Sequence, residues 1–139
     1  MFLIIKDKKF NTENINISLH PTYNFYHIYY DTNYIKLSGI PLTIKYNKII
    51  EKNDRFFIYY NDDDNNIDKI NYWFNLNIPD FYFIRQDINN CEKYIIGNSY
   101  KDISDSSSYK INGDYNTIDL IIYKIKYIKG KYIPIINII

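Results

Sequence analysis

The stretch Thr117-Ile-Asp-Leu-Ile-Ile-Tyr-Lys-Ile-Lys-Tyr-Ile-Lys-Gly-Lys-Tyr-Ile-Pro-Ile-Ile136 reads as two β-strands joined at Lys129-Gly130. A period of two puts Ile121, Tyr123, Ile125 and Tyr127 on one side of the first strand and Lys124 and Lys126 on the other. Glycine between two β-prone runs marks a hairpin, because the turn needs a residue that tolerates positive φ. The chain is therefore expected to close on a hairpin with a basic, tyrosine-flanked edge, and such an edge points to an anionic partner.

Upstream, strand candidates follow one another quickly: Phe2 to Lys6, Asn14 to Leu19, Phe25 to Tyr30, Tyr34 to Leu37, Ile40 to Tyr46 and Arg55 to Tyr60. Each is short, rich in β-formers and bounded by Asn, Asp, Gly or Pro. The period then changes. Ile67, Ile70, Trp73 and Phe74 recur at spacings of three and four, which predicts a helix over Asn65 to Leu76, capped by Asp64 or Asn65 and followed by Pro79. Trp73 shares the face of Ile67 and Ile70 and is expected to plug the core. Strands resume at Phe81 to Arg85 and Lys93 to Ile96, and the polar stretch Asn98 to Asn116 reads as a surface loop. Many short strands, one helix and no βαβ rhythm predict a mainly β fold, an antiparallel barrel or sandwich with one α-helix.

Composition sets the bounds. With 139 residues the chain holds one domain around one core. Isoleucine leads the apolar residues, tyrosine occurs 17 times, and alanine and valine are missing, a balance that favours pleated strands over helices. A net charge of +1 supplies no global field for nucleic acid or an anionic membrane, so any electrostatic footprint is local. Only Arg55 and Arg85 offer a guanidinium fork, which argues against sequence-specific base reading. A single cysteine, Cys91, excludes an internal disulfide and suits a reducing compartment. Met1-Phe-Leu-Ile-Ile-Lys-Asp lacks the basic lead and cleavage site of a signal peptide and reads as a first strand. No apolar run approaches the roughly 18 residues of a membrane span, so no membrane role is expected, and Asn16-Ile-Ser reads as an accidental glycosylation match.

Strand alternation supplies the candidate site. If Ile35 and Leu37, Leu42 and Ile44, and Phe56 and Ile58 point inward, then Tyr34, Lys36, Thr43, Lys45, Arg55, Phe57 and Tyr59 point outward. With Lys124 and Lys126 they make a face of cations interleaved with rings. Lysines neutralise phosphates without reading sequence and rings stack on any base, so this is the chemistry of a single-strand binding surface. The plain alternative is that lysines solubilise exposed strands and that tyrosine abundance follows codon usage.

Other constellations read as structure. Asn61-Asp-Asp-Asp-Asn-Asn lacks the glycine and glutamate of a calcium loop and reads as a turn into a helix N-terminus. Cys91 has no flanking glycine turn or helix start to activate it, and His20 and His27 lack zinc-ligand spacing. Gly39, Gly97, Gly113 and Gly130 are isolated, so no phosphate-cradling loop exists. No triad or carboxylate pair stands out. The expectation is a protein that is not an enzyme, with no metal and no cofactor.

Taken in order, Asn14-Ile-Asn-Ile, Ile28-Tyr-Tyr, Ile35-Lys-Leu-Ser-Gly-Ile-Pro-Leu, Arg55-Phe-Phe-Ile-Tyr-Tyr and the closing hairpin from Ile118 resemble the single-stranded-DNA-binding proteins of large DNA viruses and some phages. The Ile, Asn, Lys and Tyr bias, written in A/T-rich codons, suits such genomes. The chain departs from these proteins in its near-neutral charge and in Asn137-Ile-Ile, which carries no acid. The resemblance implies an OB-like barrel that binds single-stranded DNA without sequence preference in viral replication or repair, inside the host cytoplasm or nucleus. RNA as the ligand and self-association stay open. A viral structural or protein-interaction β domain, burying the same rings against another subunit, is the alternative.

Overall fold

The computed structural model describes residues 10–32, 35–60, 65–99 and 117–138. In chain order these form β1 (Ile15–Leu19), β2 (Phe25–Asp31), β3 (Lys36–Ser38), β4 (Ile40–Lys52), β5 (Arg55–Tyr60), α1 (Asn65–Asn77), β6 (Arg85–Gln86), β7 (Lys93–Ser99), β8 (Thr117–Ile128) and β9 (Lys131–Ile138). The expected strand at Phe2 to Lys6 lies outside the described residues, as does the 98–116 stretch beyond Ser99, while Asn98 and Ser99 extend β7.

Five strands close a barrel. β4 pairs with β5, β5 with β7, β7 with β9, β9 with β8, and β8 returns to β4. All these pairs are antiparallel except β7 with β9, which run parallel at Asn98↔Asn137 and Ser99↔Ile138. The result is a mainly β, OB-like barrel, in which β5 and β7 are the second and third barrel strands. Helix α1 connects those two strands in the chain. Outside the barrel, β1 pairs with β2, β3 pairs with β2, and β2 adds to β8 through Phe25↔Lys126, Tyr26↔Ile125 and His27↔Lys124.

The closing hairpin forms as the sequence predicts. Lys129 and Gly130 both take positive φ (50° and 84°), the signature of a primed turn whose twist matches its strands. The β4–β5 turn at Asn53 and Asp54 does the same, at 54° and 62°. Both residue types there tolerate the left-handed region through short polar side chains.

Two bulges carry the curvature. In β4 the register shifts between Tyr46 and Lys48, and in β8 between Ile122 and Lys124. Each extra residue bends its strand and reverses which parity faces the core. Thus Ile40, Leu42 and Ile44 face inward before the β4 bulge and Ile49 packs against the core after it. In β8, Ile118, Leu120 and Ile122 are followed by Ile125. This corrects the single face read for Ile121, Tyr123, Ile125 and Tyr127: Tyr123 and Tyr127 are each 45% exposed.

The helix brings Ile67, Ile70 and Phe74 into the same core, all fully buried, and Phe74 stacks on Phe81 at 5.0 Å. Trp73 is half-buried, with its ring edge-on to Phe74 at 5.2 Å, so it borders the core and does not plug it. Two further readings change. Phe81 to Arg85 is not a strand, because Phe81 makes one isolated bridge to Tyr132 and only Arg85–Gln86 joins the sheet. Ile35 is 54% exposed and does not point inward, since β3 begins only at Lys36.

Candidate nucleic-acid interface

The expected single face divides in two. Arg55, Phe57 and Tyr59 share one surface, Lys36, Lys124 and Lys126 share another, and Lys45 sits on the stretch of β4 that pairs with β8, beside Thr117. Two register positions away, the Thr43 hydroxyl donates to the Asp119 carboxylate. Tyr34 lies outside the described residues.

The first surface is the outer side of β4, β5 and β7. Register sets Lys48 beside Tyr59, Ile50 beside Phe57 and Lys52 beside Arg55. Across β5, Tyr59 meets Tyr94, Phe57 meets Ile96 and Arg55 meets Asn98. Directly opposed residues share a sheet face, so cations, rings and aliphatic groups form one patch. The Phe57 and Tyr94 rings stack at 5.8 Å and 26°. Arg55, Lys48 and Lys52 are exposed, while Phe57 and Tyr94 are half-buried. A ring with one face packed and the other toward solvent is suited to receive a base.

Tyr59 does something else. It points outward, as alternation predicts, yet it is only 6% exposed, because the segment linking β6 to β7 covers it. Burial first, then the nearby Asp87, Tyr94 and Glu92, with a hydrogen bond to Asp87, push its hydroxyl above the usual 10.0. Lys48 Nζ lies 4.5 Å from the Tyr59 ring centre and 3.5 Å from the Glu92 carboxylate. Tyr59 therefore supports Tyr94, whose ring is 5.0 Å away, and is not itself a free stacking platform.

The second surface is the outer side of the sheet made by β1, β2, β3 and the far half of β8. Along it run His20, Phe25, His27 and Tyr29, with ring centres 4.7, 4.9 and 6.2 Å apart in turn. Lys124 Nζ stands 5.3 Å from the Phe25 and Tyr123 ring centres, and Lys36 Nζ stands 4.4 Å from that of Tyr29. Lys126 pairs in register with Phe25 and is exposed. His20 is fixed in the turn before β2, its Nδ1 accepting from the backbone N–H groups of Thr22 and Tyr23, each at 3.1 Å. The ring ladder was not among the sequence candidates. Its signal was present in Phe25-Tyr-His-Ile-Tyr-Tyr, where alternate residues Phe25, His27 and Tyr29 share a face opposite buried Ile28 and Tyr30.

Chemistry elsewhere is sparse. Cys91 is an exposed free thiol at φ 56°. Among the described residues, no three His, Cys, Asp or Glu side chains group as a metal site, and no helix is long and apolar enough to cross a membrane. Comparisons with protein families, curated proteins and solved structures give no match.

Proposed function

We propose that this chain is a non-enzymatic OB-like domain that binds single-stranded nucleic acid without sequence preference, in viral DNA replication or repair inside the host cell. The observation that carries this reading is the patch on β4, β5 and β7, where Phe57 and Tyr94 offer ring faces among Arg55, Lys52 and Lys48. OB barrels use their second and third strands, with the turns beside them, to hold oligonucleotides. Bases stack on Phe57 and Tyr94, and the cations neutralise phosphates along the strand. Lysines and ring faces bind without reading sequence, which fits binding by stacking and charge.

Titration of a fluorescently labelled single strand and its duplex at two salt concentrations tests the reading. Single-strand binding that weakens steeply with salt is expected, with weaker duplex binding because the ring platforms need unpaired bases. No single-strand binding at micromolar protein, together with a stable dimer or larger assembly, would favour the structural or protein-interaction alternative.

A further inference from the structure

We infer that the His20–Phe25–His27–Tyr29 ladder with Lys36, Lys124 and Lys126 is a second contact for the same single strand, so that a long strand engages two separate faces of the domain. This rests on the function proposed above and extends its footprint.

Alternate residues of a strand share one face, so Phe25, His27 and Tyr29 line up with ring centres 4.9 and 6.2 Å apart and offer successive contacts to the unpaired bases of one strand. All four ladder rings are half-buried, each packed against its neighbour in the ladder, and Lys36 and Lys124 cover part of the Tyr29 and Phe25 rings. The lysines are placed for phosphates. Lys124 and Lys126 flank the ladder on β8, and Lys36 flanks it from β3, where Asp31 is the acid in register. Asp31 is already engaged, accepting from the Asn16 amide at 2.6 Å. Three lysines against one acid give this face a net positive charge, the complement of a polyanion and a poor match for a second copy of itself. Lys124 and Lys36 sit over rings, and cations held so can bridge a stacked base and its phosphate.

The two faces are linked along the barrel. β4 carries Lys48 and Lys52 on the first patch and Lys45 before its bulge, next to β8, whose far half bears Lys124 and Lys126. A strand leaving Arg55 and Phe57 can follow Lys45 toward the ladder, passing Asp119, whose carboxylate accepts from the Thr43 hydroxyl.

The test is titration of the full chain with oligothymidylates of about 6 and about 24 nucleotides, lengths near the bottom of and beyond the usual 4–16 per OB barrel. K124Q/K126Q is expected to lower the log-log salt slope on the long strand by roughly 1.4, from about 0.7 per contact. Phe25→Ala is expected to weaken the long strand roughly 5- to 150-fold. Both variants should bind the short strand nearly as the parent does, whereas Phe57→Ala should weaken both lengths. Circular dichroism checks that each variant is folded, and the lysine pair keeps the test valid should Phe25→Ala unfold. If Phe57→Ala weakens binding while the ladder variants match the parent on the long strand, the second contact is refuted and the proposed function stands. Ladder variants that dissociate an oligomer without altering binding would make this face a protein interface. A parent that binds neither length overturns both.

Discussion

Phe57→Ala probes the proposed interface most directly. The ring lies on the second barrel strand, half-buried, with Tyr94 stacked at 5.8 Å and Ile50 and Ile96 beside it in register. Its removal deletes one base platform and leaves every charge in place. Stacking contributes about 1 to 3 kcal/mol per base, so Kd should rise roughly 5- to 150-fold while the salt slope stays unchanged. The stability loss should be smaller than for a core ring. Full Phe→Ala burial losses run about 3 to 5 kcal/mol, but this ring keeps part of its surface in water and gives up mainly the Tyr94 pair, worth about 0.5 to 1.5 kcal/mol. Phe57→Leu is the control: it keeps apolar area but offers no π-face, and should lose affinity nearly as Ala does while melting closer to the parent. Fluorescence anisotropy at several salt concentrations, beside thermal melts, reads both effects. Folded Phe57→Ala protein with parental affinity would refute stacking at this position, as would Phe57→Leu restoring affinity in full.

Two further outcomes follow from packing. The Tyr59 hydroxyl is held neutral in the fold, with its pKa raised above 10.0 by burial and by Asp87, so the unfolded chain ionises first as pH rises. Its contribution is complete below about pH 10 and is lost through the more alkaline range, so chemical denaturation at about pH 8 and pH 11 should show a smaller alkaline loss for Tyr59→Phe than for the parent. On the helix, Phe74→Ala should cost about 3 to 5 kcal/mol, and Trp73→Ala less because that ring is only partly buried at the border of the core. Equal midpoint shifts in urea would show that Trp73 is buried as deeply as Phe74.

Much of the architecture was readable because local signals agreed with the fold. Arg55–Tyr60 matches its expected bounds, Lys129-Gly130 makes its turn, and Ile67, Ile70 and Phe74 face the core at helical spacing. Several of the errors come from contacts between residues distant in sequence and from the depth to which an element sinks. Tyr59 reads as an exposed alternate residue until the segment bearing Asp87 and Glu92 folds over it. Trp73 reads as core because the helical pattern reports which face is apolar but not how far that face sinks. Phe25, His27 and Tyr29 have clear alternation, yet only the pairing of β2 with β8 brings Lys124 and Lys126 to them.

The division of the candidate residues into two faces follows from the strand pairing, which changes at the bulges. β4 pairs with β8 over Ile40 to Lys45 and with β5 from Tyr46 onward, and its register shifts between Tyr46 and Lys48. β8 pairs with β4 over Thr117 to Ile122 and with β2 over Lys124 to Lys126, and its register shifts between Ile122 and Lys124. Each strand thus changes partner where it carries an extra residue. A bulge bends its strand and increases the local twist, which lets β4 turn toward β5 while β8 turns toward β2. The lysines of β8 therefore keep β9 on one side and meet the rings of β2 on the other, while Arg55 and Phe57 stay with Tyr94. Period-two reading carries parity unbroken along a strand, so it joins Lys36, Arg55 and Lys124 into one surface. Strand pairing separates them, Lys36 and Lys124 meeting β2 and Arg55 meeting β4 and β7, and that separation is why stacking and charge variants must be tested on each face independently.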